Sequence, residues 1–275
     1  MWNDWFTIGP VTIHGYGVMT AVGILAAYFL TEYRARKEGL EAERTFGLVL
    51  TCVIVGYLGS KLLYMITILP KILEDPGIIL ESLANGWVVI GGILGGILGG
   101  FLYCRKCRMP AWKYFDLAIP AVALAQCLGR IGCFFAGCCY GVETDGPIAV
   151  VFQNSAYAPN GVPLVPTQLI CSGLDLLLFL FLILYHRKWQ KKDGEIISWY
   201  LILYSIGRIF LEFFRGDANR GYVGVMSTSQ FISAFTALAG LVLLILVKKK
   251  GADLHGKTQA AEQPQTAEAT EKTSE

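Results

Sequence analysis

Seven long apolar runs, at about residues 11–32, 46–69, 87–104, 114–137, 167–185, 195–214 and 228–247, constrain this chain more than any other feature. Each is near the ~20 helical residues that cross a ~30 Å hydrocarbon core. A segment alone in hydrocarbon must satisfy its own backbone hydrogen bonds, which makes it a helix. Composition agrees, since 54% of the 275 residues are hydrophobic and only 16% are charged, against about 25% charged in soluble domains. The expected fold is all-α: a polytopic membrane domain over residues 1–250 with seven transmembrane helices.

Lysine and arginine orient the bundle, because they concentrate on cytoplasmic flanks. Arg34, Arg36, Lys37 and Arg44 follow the first run, Arg105, Lys106, Arg108 and Lys113 the third, Arg187, Lys188, Lys191 and Lys192 the fifth, and Lys248 to Lys250 the last. The opposite loops hold only Lys71, Arg215 and Arg220. The amino terminus is therefore expected outside and the carboxyl terminus in the cytoplasm. This alternation accounts for most of the basic residues, and no nucleic-acid partner is expected. The first run lacks a basic leader and a cleavage site, so it reads as a retained span. Residues 251–275 have no bulky apolar residue after Leu254 and read as a disordered cytoplasmic tail.

Three cations fall inside the runs: Lys61, Arg130 and Arg208. Ionisable groups at membrane depth are costly and face a bundle interior or a watery cavity. At ~1.5 Å per residue all three lie roughly 9–12 Å below the outer ends of their helices. In RIFLEFFR, Arg208, Glu212 and Arg215 are spaced i, i+4, i+7 and share a face. Glu212 can pair with Arg208, while a guanidinium fork suits phosphate oxygens. Charge placement leaves three readings open: an anionic phospholipid site, structural pairing, or a small-anion conduit.

GGILGGILGG, from Gly91 to Gly100, repeats glycine every four residues, a spacing that lets helices approach closely in lipid. The outer loop, residues 138–166, carries turn residues around a β-prone IAVVF and reads as ordered. His14 and Tyr16 begin the first helix near that face. Eight cysteines include the pair Cys104 and Cys107, with no second ligand pair, and the group Cys133, Cys138 and Cys139. No metal site is expected from them. Nucleotide-binding, zinc-protease and serine-elbow motifs are absent from the sequence.

GRIGCFFAGCCYG, residues 129–141, resembles the signature of bacterial prolipoprotein diacylglyceryl transferases, GR-[LI]-GNF-x-NGE-x-x-G. Tyr16-Gly17, Gly59 to Tyr64, Gly91-Gly92, Asp116, Pro120, the Pro166-Thr167-Gln168-Leu169 stretch and Arg208 through Arg215 are similar to further landmarks in the family's order. The resemblance spans roughly residues 14–233. It implies a seven-helix enzyme of the bacterial cell (inner) membrane with its active site facing the outer leaflet. The implied reaction moves a diacylglyceryl group from phosphatidylglycerol to the lipobox cysteine of a prolipoprotein, without metal or organic cofactor. By resemblance Arg130 and Arg208 are catalytic candidates, with Tyr16 and His14 as candidate bases. Lys61, Glu212, Arg215, Gly91, Gly92 and Gly141 are candidate substrate-binding residues. The resemblance leaves the oligomeric state open.

The chain departs from the signature at Cys133 and Ala136, where asparagines are usual, and at Cys138, where an acid is usual. Ile90 replaces a frequent histidine, and Ile170-Cys171 follow the helix-opening glutamine and leucine. These changes leave the general base open. They also admit an alternative, a diverged paralogue that binds an anionic phospholipid or transfers another lipid group. Cys133, three residues from Arg130 on one helical face, raises a further reading as a covalent nucleophile.

Overall fold

The apolar runs are helical, within a few residues of their expected bounds. The computed structural model describes residues 3–9, 11–75, 77–216 and 221–250. The expected tail at 251–275 lies outside the described residues.

The first run departs most from expectation. Asp4–Ile8 (β1) and Val11–His14 (β2) form an antiparallel hairpin, so α1 begins at Gly15 and continues to Lys37. Val11, Thr12 and Ile13 are β-branched and suit a strand, and His14 Nδ1 meets Asp4 Oδ1 at 2.6 Å across the pair. At the other end α1 runs past the apolar run, and the buried Arg34 donates from Nη1 to the Leu117 carbonyl at 2.5 Å. The chain continues through α2 (Glu43–Thr67), the short helices α3 (Leu69–Glu74) and α4 (Ile78–Ala84), α5 (Val89–Lys106) and α6 (Ala111–Ala136). The outer loop contains a small hairpin, β3 (Val150–Val151) on β4 (Pro163–Leu164), at the β-prone run. Then come α7 (Thr167–Lys188), α8 (Glu195–Glu212), a third hairpin of β5 (Tyr222–Val223) and β6 (Met226–Ser227), and α9 (Thr228–Lys250).

The described residues are thus mostly helical, with three two-stranded hairpins among them that an all-α expectation leaves out. Among the described residues, six helices are long and apolar enough to cross a membrane: α1, α2, α5, α6, α7 and α9. The seventh long helix, α8, carries Glu195, Arg208 and Glu212 in 18 residues and is not one of the six.

The helices pair α2 on α5, α1 on α6, α6 on α7 and α8 on α9. Glycine sets the closest seams. A Cβ added at Gly91 would sit 2.3 Å from the Gly59 carbonyl oxygen, and one at Gly95 would sit 2.5 Å from that of Val55. The glycine face of α5 therefore lets α2 approach backbone to backbone. On α6, a Cβ at Gly132 would come 3.2 Å from the Tyr16 carbonyl oxygen, so this glycine brings the start of α1 against the end of α6.

Asp116, 1% exposed, fixes α8 from α6. Its carboxylate accepts the Gly194 N–H at 2.6 Å, the Ile197 N–H at 3.1 Å and Gln190 Nε2 at 2.7 Å. The first two are donors that a helix N-terminus leaves unsatisfied. Nearby, Leu178, Leu182 and Ile196 join Ala123 in an apolar cluster that binds α6, α7 and α8. The distal halves of α7 and α8 hold the site.

Candidate functional site

The site is assembled where α6 stops. Gly137 takes the left-handed conformation, φ 75°, which costs glycine little. Its N–H bonds to the Phe134 carbonyl at 3.2 Å, and the Cys138 N–H reaches back to that of Cys133, also at 3.2 Å. This is a Schellman ending, and it folds Cys138 over Cys133. Cys139 is left-handed as well, φ 59°, a strained state for a residue with a Cβ. Two side chains opening α7 hold it: Thr167 Oγ1 donates to the Cys139 carbonyl at 2.7 Å and Gln168 Nε2 to that of Cys138 at 2.8 Å. The result is a triangle of free thiols, with the sulfurs of Cys133, Cys138 and Cys139 within 4.8 Å of one another.

The loop after the cysteines is stitched to the end of α8. Val142 N–H donates to the Phe214 carbonyl and Gly216 N–H to that of Tyr140, at 3.0 and 3.1 Å. Gly141 pairs with Arg215 across this bridge. A Cβ there would meet the Val165 and Phe214 carbonyl oxygens at 2.5 and 2.9 Å. Arg215 is thereby carried into electrostatic reach of Cys139, as is Arg130 from α6. The Cys139 thiol is held below its ordinary pKa, first by hydrogen bonding with Cys133 and Cys138 and then by these guanidiniums. Hydrogen bonding with Cys133 and Cys139, together with burial, pushes the Cys138 thiol up.

Arg130 and Arg208 line one cavity of about 240 Å³ between α7 and α8. Cys171, Asp175 and Tyr204 share its polar end, while Leu174, Leu177, Leu178, Phe181, Leu203 and Leu211 form its walls. Leu177, 62% exposed, sits at its rim on the outside of the bundle. Arg208 Nη2 lies 3.1 Å from Glu212 Oε2, a pair with side chains 14% and 3% exposed. Nη1 of the same guanidinium is buried without a hydrogen-bond partner. A second cavity, of about 160 Å³, lies beyond it and is lined by Arg208, Glu212, Arg215, Gly221 and residues 227–229. Leaving a buried donor unmade costs about 1–3 kcal/mol, more when it is charged. A guanidinium so placed, between an apolar cavity and a polar one, suits the phosphate of an amphipathic guest.

The model of the family described as prolipoprotein diacylglyceryl transferase matches residues 3–246. The chain belongs to the prolipoprotein diacylglyceryl transferase family. It is 47% identical over 236 residues to a phosphatidylglycerol--prolipoprotein diacylglyceryl transferase of Clostridium tetani (strain Massachusetts / E88), covering 86% of this chain and 94% of the relative. It is 44% identical over 239 residues to the second such protein of Clostridium perfringens (strain 13 / Type A), with 87% and 93% covered. A Thermotoga maritima relative of the same name is 31% identical over 250 residues, with 88% and 84% covered.

In this diacylglyceryl transferase family member the remaining candidates are dispersed. Tyr16 is within electrostatic reach of all three clustered cysteines. His14 lies in β2 on Asp4, with its side chain 52% exposed. Lys61 lines neither cavity. Its ammonium donates to the carbonyls of Ser82, Asn85 and Gly86 at 2.5, 3.0 and 3.0 Å, and it lies 4.4 Å from the Trp87 ring centroid. Gly91 and Gly92 lie in the seam with α2.

Sequence reasoning passed over Asp175, the sole acid in α7, which is 7% exposed and within electrostatic reach of Arg130 and Arg208. Counting intramembrane acids alongside cations would have found it. It also passed over Thr167 and Gln168 as braces of the cysteine loop, for which the helix-opening position of a buried polar pair was the available signal.

Proposed function

We propose that this chain transfers the diacylglyceryl group of phosphatidylglycerol to the lipobox cysteine thiol of prolipoproteins, the first step of bacterial lipoprotein maturation. The observation that carries the reading is the shared cavity. Arg130 and Arg208 stand at its polar end and leucines and Phe181 form its walls, in a family whose relatives are named for this donor and acceptor. A phosphate and its acyl-bearing glycerol match that division.

The protein is a multi-pass membrane protein. We place it in the bacterial inner membrane with α8 as a seventh span, the amino terminus outside, the carboxyl terminus inside and the site in the outer half of the bilayer. The flanking basic residues support this orientation. Residues 1–250 form the membrane domain and 251–275 a cytoplasmic tail.

Arg130 and Arg208 hold the donor phosphate, and Glu212 orients Arg208. Arg215 approaches from the second cavity. The acceptor thiol gives up its proton, and its sulfur attacks the diacylglyceryl carbon bonded to the phosphate oxygen. The C–S bond forms as that C–O bond breaks, and glycerol phosphate departs with the electron pair. Guanidiniums preorganised at the phosphate stabilise the charge that develops there. Tyr16 and His14 are the candidate bases, with Tyr16 on the cysteine side of the site.

The test is incubation of the purified protein with labelled phosphatidylglycerol and a lipobox peptide. A peptide mass gain of one diacylglyceryl group is expected. Binding of the lipid without product would instead favour a lipid-binding paralogue.

A further inference from the structure

The structure points to a zinc site formed by Cys133, Cys138 and Cys139, whose open fourth position takes the acceptor cysteine as thiolate; this role rests on the transfer reaction proposed above. The geometry is close to what the ion needs. Tetrahedral Zn–S bonds of ~2.3 Å put sulfurs about 3.8 Å apart, and the three sulfurs lie within 4.8 Å of one another. Closing the triangle asks each pair for no more than about 1 Å. All three thiols are free and partly buried.

The support around them suits a metal. The Schellman ending fixes Cys133 against Cys138, and Thr167 and Gln168 brace the carbonyls of Cys139 and Cys138. Outer partners of this kind hold ligands in position. Three thiolates on a zinc ion leave one excess negative charge, and Arg130 and Arg215 are within electrostatic reach of Cys139 to offset it. Three protein ligands leave the fourth coordination position of a catalytic zinc ion for a substrate.

The chemistry removes the need for a protein general base. A thiol that coordinates zinc is deprotonated outright, so the acceptor releases its proton to water on binding. Its sulfur then forms the C–S bond while the donor's C–O bond breaks, and glycerol phosphate leaves with the electron pair onto the arginines. Zinc is neither oxidised nor reduced.

Metal content is measured first, on the full chain in detergent, reduced with a phosphine, supplied with zinc and dialysed. About one zinc per chain is expected, falling at least tenfold in Cys133→Ser and in the Cys138→Ser/Cys139→Ser double variant. It should persist in the Cys104→Ser/Cys107→Ser double variant. Less than a tenth of an equivalent on the wild type, or equal retention by the cluster variants, overturns the site. A disulfide within the cluster that excludes zinc after reduction is attempted overturns it too.

Cobalt then reports on the wild type, without reliance on variants that may misfold. Adding a lipobox peptide should shift the visible bands toward a four-sulfur spectrum, and the same peptide with serine for cysteine should not. An unchanged spectrum overturns the acceptor role. A peptide-dependent shift without transfer product upholds the metal site and instead overturns the diacylglyceryl transfer reading.

Discussion

The two ends of the helical bundle treat buried charge in opposite ways. At one end Asp116 receives three N–H donors. His186 lies 2.5 Å from Gln190 Oε1 and 3.3 Å from Glu38, which also faces Lys113 at 3.7 Å. None of these groups lines either cavity. At the other end Arg130, Arg208 and Arg215 face Asp175 and Glu212, and all but Arg130 and Asp175 reach the second cavity or stand between the two. Fully hydrogen-bonded charge makes a clamp, whereas cations in excess beside apolar space suit the anionic guest proposed above. Burial by itself does not separate the two, since Asp116 and Glu212 are both nearly inaccessible, at 1% and 5%.

Five substitutions test this division. The largest effect is expected from Arg130→Ala or Arg208→Ala, each lowering kcat for transfer by about 10²–10³-fold; Arg208→Ala also leaves the buried Glu212 carboxylate without its Arg208 partner and lowers Tm as well. Asp116→Ala should do the reverse: stability falls by about 2–4 kcal/mol as charged hydrogen bonds are lost, read as a lower Tm, with KM for lipid unchanged. Arg208→Lys retains charge without the planar fork and should cost about tenfold in kcat/KM, between the two extremes. Lys61→Met is expected to have the smallest effect on transfer, less than about twofold, because three carbonyls already receive its ammonium. Its stability cost, about 1–3 kcal/mol from an unmet carbonyl, would show in Tm. A large loss of transfer at Lys61 with unchanged Tm would return that residue to the phosphate.

Periodicity and charge made the helices legible before any coordinates, because hydrocarbon leaves a chain few options. The hairpin of β1 and β2 was hidden because Val11, Thr12 and Ile13 are as apolar as the helix that follows, and only pairing with residues 4–8 separates them. The i, i+4 spacing of Arg208 and Glu212 showed in sequence and is a 3.1 Å pair in the structure. The joining of Arg130 to that pair depends on how α6, α7 and α8 cross, which spacing within one helix does not encode. Lys61 was grouped with the arginines by depth and by resemblance; its carbonyl partners are Ser82 in α4 and Asn85 and Gly86 just after it, and the return of that segment to α2 leaves no periodic trace. The thiol triangle was split in the same way. Cys133 and Cys138 are one Schellman ending apart, but Cys139 joins them only through a left-handed backbone that glycine would be expected to take.

The fastening of α7 and α8 has a mechanical consequence. Near one end, Leu178, Leu182 and Ile196 weld them to α6, and at the other, residues 140–142 tie down both Val165 and residues 214–216. A guest wedging these helices apart must flex them like two staves held in hoops, with the greatest give at mid-span. Gly173 and Gly207 lie in that stretch, and a Cβ at either would meet nothing within 4 Å. For the proposed lipid donor, entry would then depend on the bending stiffness of two rods, and the arginines would keep hold of its phosphate while the helices part at mid-span.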